Sequence, residues 1–479
     1  MVAVGNIPTR VRRPACRHGD AAGQSPKKGV PQGMIVLKFG GTSVQNAEMM
    51  DATLAIVEGQ IERGPVLVSS AMSKVTDQLQ QIAQLVGGGK EVESNAILDA
   101  VEERHLACAR AFLTGGNLAA CESDLRGVCA ELRAFIKALA MLKEWSKRSN
   151  DAVLSFGERL ATTILFHRAQ GRGMEAELFD SRELVKTDDN FTAAAPIEDL
   201  TTLLITSRVR AKAGMVGIMQ GFIASTIGGA PTTLGRGGSD YTATIVGAAL
   251  RAEEVQIWTD VTGIMTSDPR IAKAARTIDR ISYREAAELA YFGAKVIHPA
   301  TIQPAVNLGI PVWVKNTFRP QEAGTCIIPN VPGIGLKAIA CKKGITLVNI
   351  GSSRMLLAYG FLRRIFEIFE KYQPPVALIA PSEVSVSVTI DNPSSVNAIA
   401  RDLSEIGTVG VEADKSIICL VGQDLWKDTT FLARTFSSLK GTPVRMISLG
   451  SSDINLSLVV PVEATDGAVR TLHDEFFPR

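Results

Sequence analysis

Two short segments combine glycines with charged side chains in patterns that suit an anionic ligand. In residues 38–43, Lys-Phe-Gly-Gly-Thr-Ser, an apolar strand-like run leads into two glycines. Backbone N–H groups at such a turn can face an anion, and a lysine at the strand end can neutralise it. An ordinary strand-to-helix turn explains the same residues equally well, so this segment by itself leaves both interpretations open.

The second segment, residues 235–240, has the sequence Gly-Arg-Gly-Gly-Ser-Asp and precedes a helix expected over 241–250. Arg236 suits bidentate binding of a carboxylate, and Asp240 could hold an ammonium group or orient a lysine or a metal-bound phosphate. Ser239 or Asp240 could instead serve only as a helix cap. Because three glycines flank the arginine, we favour an anion site.

Two further segments could add ligands at strand and helix ends. Residues 258–260, Trp-Thr-Asp, end a predicted strand, where open α/β sheets gather ligands, although Asp and Gly after a strand usually form only a turn. A capping box over residues 282–285 predicts a helix that continues to Ala290 and brings Lys295 just past its end. Such a lysine either interacts with the helix dipole or reaches a phosphate.

These segments must be positioned by a scaffold of strands and helices, and the sequence predicts two kinds. From residue 34 to about 325, apolar runs of four to six residues alternate with longer helical patterns. Buried parallel strands with helical crossovers produce this alternation. We therefore predict an α/β domain over 34–325, with a mostly parallel sheet between helices.

The C-terminal part contains an internal repeat. Residues 382–390 match residues 452–460 position by position at an offset of 70, and both read as strands with one apolar face. Two β-α-β-β-α units in tandem follow from this offset. The second copy lacks a closing strand, which the run just before the first copy could supply. We predict two units over 336–479, the first at about 344–412 and the second at about 336–342 plus 413–479, so that the two interleave.

The composition is that of a globular protein with a mildly acidic body. Of 479 residues, 46% are hydrophobic and 21% charged, and the formal charge is +2. Residues 1–33 carry +5, so the remainder carries −3. This distribution gives no support to a nucleic-acid-binding body. Residues 1–33 could be a disordered tail, a transit peptide or translated sequence upstream of a start at Met34, and we favour the last.

The cysteines and the hydropathy pattern indicate the compartment. Seven scattered cysteines without any Cys-x-x-Cys pair predict reduced, mostly buried thiols rather than a disulfide framework or a zinc site. No run approaches the roughly 18 apolar residues of a membrane span, and no signal-peptide core is present. We expect a cytoplasmic protein without a membrane or nucleic-acid partner.

Taken together, five motifs are specific. Residues 38–43, 155–158, 235–240, 258–260 and 292–299 occur in an order that closely resembles the aspartate kinases, in particular the monofunctional lysine-sensitive kind. The tandem repeat resembles their paired ACT regulatory domains. The resemblance implies an amino-acid-kinase fold and ATP-dependent phosphorylation of the L-aspartate side chain to 4-phospho-L-aspartate, the first step toward lysine, threonine and methionine. It also implies Mg²⁺ carried by the ATP phosphates and a homodimer, or a dimer of dimers, joined through the ACT domains.

The same resemblance implies residue roles. The catalytic residues would be Lys38, Asp240 and Lys295. ATP would be held by Lys38, Phe39, Gly40, Gly41, Thr259, Asp260, Met265, Arg270, Lys295 and Val296. Aspartate would be held by Thr76, Glu158, Arg236, Gly237, Gly238 and Ser239. No protein ligand to a metal is expected, and Met265 stands where the family usually has a tyrosine.

The effector site follows the lysine-sensitive pattern only in part. The matching residues are Met355, Gly360, Phe361, Leu362, Val376, Ser382 and Glu383. The residues Leu357, Ala358, Pro375 and Ala377 replace the His, Ser, Ser and Asp of that pattern. Ala377 lacks an anion that could meet the ammonium of a bound lysine, and a buried cation with fewer partners binds weakly. Weak lysine feedback, another amino-acid effector and a desensitised enzyme all fit.

Two other functions remain open from the residues. One is a related phosphotransferase of the same fold that acts on glutamate or a nucleotide, against which the tandem repeats and residues 292–295 argue. The other is a catalytically idle amino-acid sensor that uses only the repeats. The presence of Lys38, Asp240 and Lys295 argues against that alternative.

Overall fold

The structure is a computed structural model that describes residues 33–142, 145–293, 296–352, 360–391, 393–450 and 452–478. Four residues named above, Lys295, Met355, Leu357 and Ala358, lie outside these ranges. Across the described ranges, no helix has the length and apolar character needed to cross a bilayer.

The described chain forms alternating strands and helices. The strands are β1 (Ile35–Phe39), β2 (Val66–Ser69), β3 (Glu175–Phe179), β4 (Lys186–Thr187), β5 (Met215–Gln220), β6 (Ile223–Thr226), β7 (Pro231–Thr233), β8 (Glu254–Thr259), β9 (Arg280–Ser282), β10 (Val312–Asn316), β11 (Thr325–Ile328), β12 (Gly335–Gly351), β13 (Val376–Pro381), β14 (Ser385–Ile390), β15 (Thr408–Gln423), β16 (Met446–Leu449) and β17 (Asn455–Pro461). The α-helices are α1 (Ala47–Glu58), α2 (Val75–Gly87), α3 (Glu91–Arg110), α4 (Gly115–Leu142), α5 (Lys147–Leu154), α6 (Phe156–Gly171), α7 (Ser181–Leu184), α8 (Glu198–Arg208), α9 (Gly238–Leu250), α10 (Tyr283–Tyr291), α11 (Gln303–Asn307), α12 (Phe361–Tyr372), α13 (Val396–Leu403), α14 (Thr429–Ser438) and α15 (Thr465–Phe476).

An eight-stranded sheet organises the N-terminal part, in the order β3-β5-β2-β1-β8-β10-β11-β9. Every neighbouring pair is parallel except β10 with β11. The strands β1, β2 and β5 are buried along their whole length and mostly apolar, as predicted from the short apolar runs of a sheet covered by helices on both faces. The carboxyl ends of β2, β1 and β8 therefore lie side by side at the centre of one sheet edge.

Alternation along β1 assigns its side chains to two different cores. Ile35 and Leu37 pack in a core with α1, α2, α3, α4 and α6. Val36 packs in the opposite core, together with Ile245 and Val246 of α9. Because side chains two residues apart share a face, Lys38 lies on the α9 side of the sheet.

One helix start differs from the sequence expectation. The helix expected over 241–250 begins three residues earlier, at Gly238, with Gly237 as its N-cap, so Ser239 and Asp240 form its first turn instead of capping it. After β1, residues 41–44 form a single 3₁₀ turn, and α1 starts only at Ala47 with Asn46 as its cap. The glycine turn at 40–41 thus precedes a short 3₁₀ turn rather than a long helix.

The C-terminal part is a six-stranded antiparallel sheet in the order β13-β14-β12-β15-β17-β16. The predicted interleaving is confirmed, because the first half of β12 pairs with the second half of β15, from Gly335 opposite Gln423 to Lys343 opposite Ser416. The second half of β12 pairs with β14 and with the start of β15. The first half of β12 thus completes the second unit, and the start of β15 completes the first unit. The predicted fold class is correct.

The regulatory sheet packs against α10 of the catalytic part. Leu289 shares an apolar core with Leu347 and Cys419 of the sheet. The α10 capping box is present as predicted, with the Ser282 hydroxyl and the Glu285 carboxylate each bonded to the backbone of the other residue. Asn455 Nδ2 donates to Glu288 Oε2 at 2.8 Å across the same contact. The two parts are therefore joined by both apolar and polar contacts.

Candidate functional site

A cleft of about 340 Å³ lies at the carboxyl ends of the central strands. It is lined by Lys38, Gly41, Ser70, Ala71, Met72, Ser73, Lys74, Thr76, Glu158, Phe222, Gly235, Gly237, Gly238, Ser239 and Asp240. Three of the motifs found in the sequence, residues 38–43, 155–158 and 235–240, thus contribute to one cavity. The parallel sheet brings them together, because its strands end at the same edge.

Lys38 and Asp240 form an ion pair within the cleft. The Lys38 Nζ lies 2.6 Å from Asp240 Oδ1, and their side chains are only 11% and 13% exposed. Lys38 comes from the end of β1, and Asp240 comes from the first turn of α9 on the same side of the sheet. A cation held at this depth, where water is largely displaced, interacts strongly with any anion that enters the cleft.

The glycine turn after β1 is bonded to both neighbouring strand ends. The Gly40 N–H donates to Trp258 O at 3.2 Å, and the Ser70 N–H donates to Phe39 O at 3.1 Å. A Cβ on Gly41 would lie 2.9 Å from the backbone oxygen of Ala71, closer than real side chains approach. The glycine is thus required by a close backbone contact, which brings the turn against residues 70–73.

The N-terminus of α9 also reaches the cleft through close glycine contacts. A Cβ on Gly221 would lie 2.6 Å from Ser239 Cβ, and one on Gly238 would lie 2.7 Å from the Phe222 ring. Gly237, at φ 71°, adopts the left-handed backbone that favours glycine. As a result, the first N–H groups and the positive end of the dipole of a 13-residue helix lie at the cleft.

Glu158 supplies a buried carboxylate on the opposite side. It lies in the first turn of α6 and is 3% exposed. Its Oε1 accepts the Ala71 N–H at 3.2 Å, whereas its Oε2 has no hydrogen-bond partner among the described residues. Burial raises the pKa of the Glu158 carboxyl to about 8, and the backbone hydrogen bonds from Ala71 and Glu158 only partly oppose this.

The sequence context of Glu158 explains how it enters the cleft. A Cβ on Gly157 would lie 2.9 Å from the Ala71 Cβ and 3.1 Å from a Leu79 methyl group. Glycine at this position lets α6 pack closely against the segment after β2, which brings the carboxylate to the Ala71 N–H. The Phe-Gly-Glu order of residues 156–158 is thus a packing requirement as well as a motif.

Arg236 lies outside this cleft. Its side chain is exposed and lines an adjacent surface groove with Trp145, Asn150 and Thr192, while Gly235 borders both cavities. Beneath the groove, buried Asp151 accepts hydrogen bonds from the Thr192 and Thr233 backbones and the Thr233 hydroxyl, all at 2.8–2.9 Å. The guanidinium is therefore adjacent to the cleft and accessible from solvent.

Several cleft residues were not identified from the sequence. Ser70 Oγ donates to Ser239 Oγ at 2.9 Å, which joins the segment after β2 to α9. Lys74 and Phe222 line the cleft in left-handed backbone conformations, at φ 68° and 66°, which are uncommon for non-glycine residues. The signal in the sequence was the run Ser-Ser-Ala-Met-Ser at residues 69–73, mostly small residues at the end of an apolar strand. That signal is weak, because such runs also occur in ordinary loops.

The fourth motif, residues 258–260, lies beside the glycine turn, at the ends of β8 and β10. Thr259 Oγ1 donates to Asp260 Oδ1 at 3.2 Å, and the Thr259 carbonyl accepts the Thr317 N–H at 2.9 Å. The Thr317 hydroxyl is in turn 2.7 Å from the Ser43 hydroxyl. Sequence reasoning missed Asn316 and Thr317, which join the 258–260 segment to the turn after β1.

The remaining predicted nucleotide residues lie farther along the chain. Met265 is half-buried and bridges to Thr277. Arg270 is 88% exposed and pairs with Asp268 at 2.6 Å, which holds the pKa of the Asp268 carboxyl below its usual range. Val296 is half-buried against the core on the α9 side of the sheet. None of these three residues lines the 340 Å³ cleft, so their assignment to the nucleotide stays a prediction.

The predicted effector residues are spread over three elements of the first regulatory unit. Gly360, at φ 81°, caps α12, where Phe361 is buried and Leu362 is 43% exposed. Val376 begins the edge strand β13, and its carbonyl accepts the Tyr291 hydroxyl at 3.1 Å. Exposed Ser382 and Glu383 lie in the turn between β13 and β14. Met355 lies outside the described residues, so the set is incomplete in the structure.

Comparison with known proteins gives two family matches. Residues 33–316 match the amino acid kinase family, and residues 418–476 match an ACT domain. The first match spans more than half of the chain and contains every residue that lines the cleft. The second falls within the second of the two interleaved units.

Individual relatives agree with both matches. The chain is 35% identical over 457 residues to lysine-sensitive aspartokinase 3 of Escherichia coli, covering 93% of this chain and 99% of that protein. It is 35% identical to the chloroplastic aspartokinase 2 of Arabidopsis thaliana, covering 92% and 84% of the two chains. A crystal structure of E. coli aspartokinase III with aspartate and ADP superposes with a TM-score of 0.77 at 34% identity, covering 93% and 100%. This chain belongs to the aspartokinase family of amino acid kinases.

Proposed function

We propose that this chain transfers the γ-phosphoryl group of ATP to the side-chain carboxylate of L-aspartate, giving 4-phospho-L-aspartate and ADP, under the control of an amino-acid effector. The observation that carries the proposal is a single cleft that contains both a buried ammonium group and a buried carboxyl group with an unused oxygen. Lys38 and the α9 N-terminus provide positive potential in this cleft, and Glu158 provides a buried carboxyl with one unused oxygen. Among the relatives, the E. coli enzyme supports this proposal, because its crystal structure contains aspartate and ADP.

The cleft suits a reaction that needs charge neutralisation more than proton transfer. A carboxylate acceptor is already ionised at neutral pH, so no general base is required. The main obstacle is repulsion between the acceptor and the phosphoryl oxygens, which lysines and preorganised N–H groups reduce. Among the described residues that line the cleft there is no histidine, which is consistent with this chemistry.

The polar groups also define an orientation for aspartate. The unused Glu158 oxygen would accept the α-ammonium group, and Arg236, which lies next to the cleft, would pair with the α-carboxylate. Thr76 and residues 237–239 would complete the contact, leaving the side-chain carboxylate directed toward Lys38. We further propose that residues 40–41, 259–260 and 265–270 hold the nucleotide.

Magnesium fits this cleft as an ion carried by the nucleotide. Mg²⁺ usually keeps several waters and binds through one or two carboxylates together with phosphate oxygens. The described residues contain no cluster of three or more His, Cys, Asp or Glu that could hold a metal. Asp240 could contribute one carboxylate, and when bound the ion would neutralise phosphate charge.

A hydroxamate assay tests the proposed activity directly. Purified full-length chain is incubated with ATP, Mg²⁺, hydroxylamine and L-aspartate, and the acyl hydroxamate is measured. We expect product with aspartate and little with glutamate as the acceptor. Product with glutamate alone would favour the related phosphotransferase, and no product with either would favour an amino-acid sensor without catalysis.

The raised pKa of Glu158 predicts a pH-dependent affinity for aspartate. Below about pH 8 the empty cleft holds the carboxyl mostly protonated, so binding an ammonium group must release this proton. We therefore expect the KM for aspartate to fall by up to about tenfold per unit as pH rises from about 6.5 to 8, then to level off. Initial rates at saturating ATP measure this. A KM for aspartate that does not change over this range would contradict the assignment.

We expect a weakened response to lysine, because the regulatory part has Ala377 in place of the Asp of the lysine-sensitive pattern. The related E. coli enzyme is named for its lysine sensitivity. In this chain the position is occupied by Ala377, an uncharged residue that is half-buried in β13 and packs against the core shared with α10. We expect inhibition by lysine to require concentrations about tenfold higher or more than an Ala377→Asp variant needs. Activity is titrated with lysine, threonine and methionine, singly and in pairs, and a wild-type response as sensitive as that of the variant would contradict this.

Two further expectations remain proposals. We infer a homodimer joined through the ACT units, which the resemblance implies. We also retain a cytosolic location, which is consistent with six described cysteines that are all unpaired, five of them buried.

A further inference from the structure

The segment that follows β8 connects the catalytic sheet to the regulatory region. Residues 260–271, here called the bridging loop, begin in the catalytic part, where the Asp260 carbonyl accepts Asn316 Nδ2 at 3.4 Å. The Ile264 N–H donates to Thr325 Oγ1 of β11 at 2.9 Å. The root of the loop is thus held by two neighbouring strands of the parallel sheet.

The outer part of the bridging loop is held by the second regulatory unit instead. The Ile339 N–H of β12 donates to the Thr266 carbonyl at 2.8 Å. The Thr266 hydroxyl is 2.9 Å from Nε2 of His473 in α15. Ile271 packs against the apolar core of this unit. Two hydrogen bonds and one apolar contact therefore connect this short loop to the second regulatory unit.

His473 is the side chain of the second regulatory unit that bonds to the bridging loop. It is fully buried, its ring packs on Phe477, and its Nδ1 has no partner among the described residues. Thr266 Oγ1 already accepts the Arg276 N–H at 3.1 Å, so its own proton is available to Nε2. The Thr266 hydroxyl can donate to Nε2 or accept from it, and burial lowers the pKa of His473, which favours the neutral imidazole.

We propose that His473 is a positioning residue for the nucleotide site: it fixes Thr266, and through Thr266 the bridging loop that carries Met265 and Arg270. The inference rests on the proposed function, because that function assigns these two residues to ATP. On this basis the second regulatory unit is part of the framework that binds the nucleotide, even without an effector. The aspartate end of the cleft, which lies on the other side of β1, does not depend on this contact.

Four variants of the full-length chain test the proposal. His473→Ala and Thr266→Val each remove one partner, the double variant removes both, and His473→Gln keeps an acceptor. We expect the KM for ATP to rise about fivefold or more in His473→Ala and in Thr266→Val. The Kd for ADP, measured by calorimetry, should rise by about the same factor. The double variant should be no weaker than Thr266→Val, because Thr266→Val already removes the contact with His473 together with the bond from the Arg276 N–H. His473→Gln should recover part of the affinity, and the KM for aspartate should stay within about twofold.

A matched control separates positioning from stability. Thr435→Val removes a buried hydroxyl in α14 of the same unit, where it bonds only within its helix. It should lower the Tm without changing ADP binding. The positioning role alone is overturned if the variants at 266 and 473 have a lower Tm but bind ADP like wild type. It is also overturned if they raise the KM for ATP and the KM for aspartate equally. A wild-type chain that neither binds ADP nor forms hydroxamate overturns the proposed function, and the inference with it.

Discussion

Replacing Lys38 with alanine will lower kcat about 10²-fold or more, while the fold is retained. The ammonium group is held 2.6 Å from Asp240 in a cleft where both side chains are almost fully buried. A charge fixed in this position needs no reorganisation when negative charge shifts between the acceptor and the phosphate, so its contribution appears mainly in the transition state. Steady-state kinetics with saturating ATP and aspartate measure the loss.

The choice of control matters for Lys38→Ala, because the variant also leaves Asp240 buried without its cation. Unpaired buried charge is destabilising, so the Tm must be recorded together with kcat. Lys186→Ala is a matched control, since Lys186 is half-buried in the same part and donates to Ser225 Oγ and the Arg182 carbonyl, outside the cleft. It should change the Tm but leave kcat within about twofold. An unchanged kcat in Lys38→Ala would exclude Lys38 from catalysis.

Replacing Glu158 with glutamine will raise the KM for aspartate about 30-fold or more and leave the KM for ATP nearly unchanged. Glutamine has almost the same size and can still accept the Ala71 N–H through its amide oxygen, so the packing of α6 should persist. What it lacks is a negative charge for the α-ammonium group at the oxygen that is unpartnered in the empty cleft. The variant should also lose the pH dependence of the KM for aspartate.

Glu285→Gln provides the comparison for this variant. Glu285 is also buried and also has one carboxylate oxygen without a partner among the described residues, but it belongs to the capping box of α10. Its replacement should reduce stability without a selective effect on aspartate. If Glu158→Gln and Glu285→Gln change the two KM values alike, Glu158 does not bind the ammonium group.

Much of the fold could be predicted because its signals are local. The short apolar runs indicated buried parallel strands, and the offset of 70 between residues 382–390 and 452–460 indicated two copies of one unit. The missing closing strand of the second copy indicated residues 336–342, which the pairing of Gly335–Lys343 with β15 confirms. Each inference used hydrophobic period or repetition, properties that depend on neighbouring residues.

Helix starts and side-chain directions were harder to predict. The start of α9 was expected three residues late, because glycines usually interrupt helices and here Gly238 is the first residue. It is glycine because a Cβ would meet the Phe222 ring, a contact made by a residue distant in the chain. For the same reason Lys74 and Phe222 were not identified, since a left-handed backbone at a non-glycine residue is imposed by tertiary packing.

The sequence by itself determined the elements, the tandem repeat and the motifs, because strand alternation, glycine turns and charged residues are encoded over a few neighbouring positions. Only the tertiary structure decided which motifs share a cavity. It placed Lys38 against Asp240, left one Glu158 oxygen without a partner, and directed Arg236 into an adjacent groove. It also attached the bridging loop to His473, some 200 residues away in the chain. Such relations depend on the packing of helices and sheets from distant segments, which local patterns do not encode.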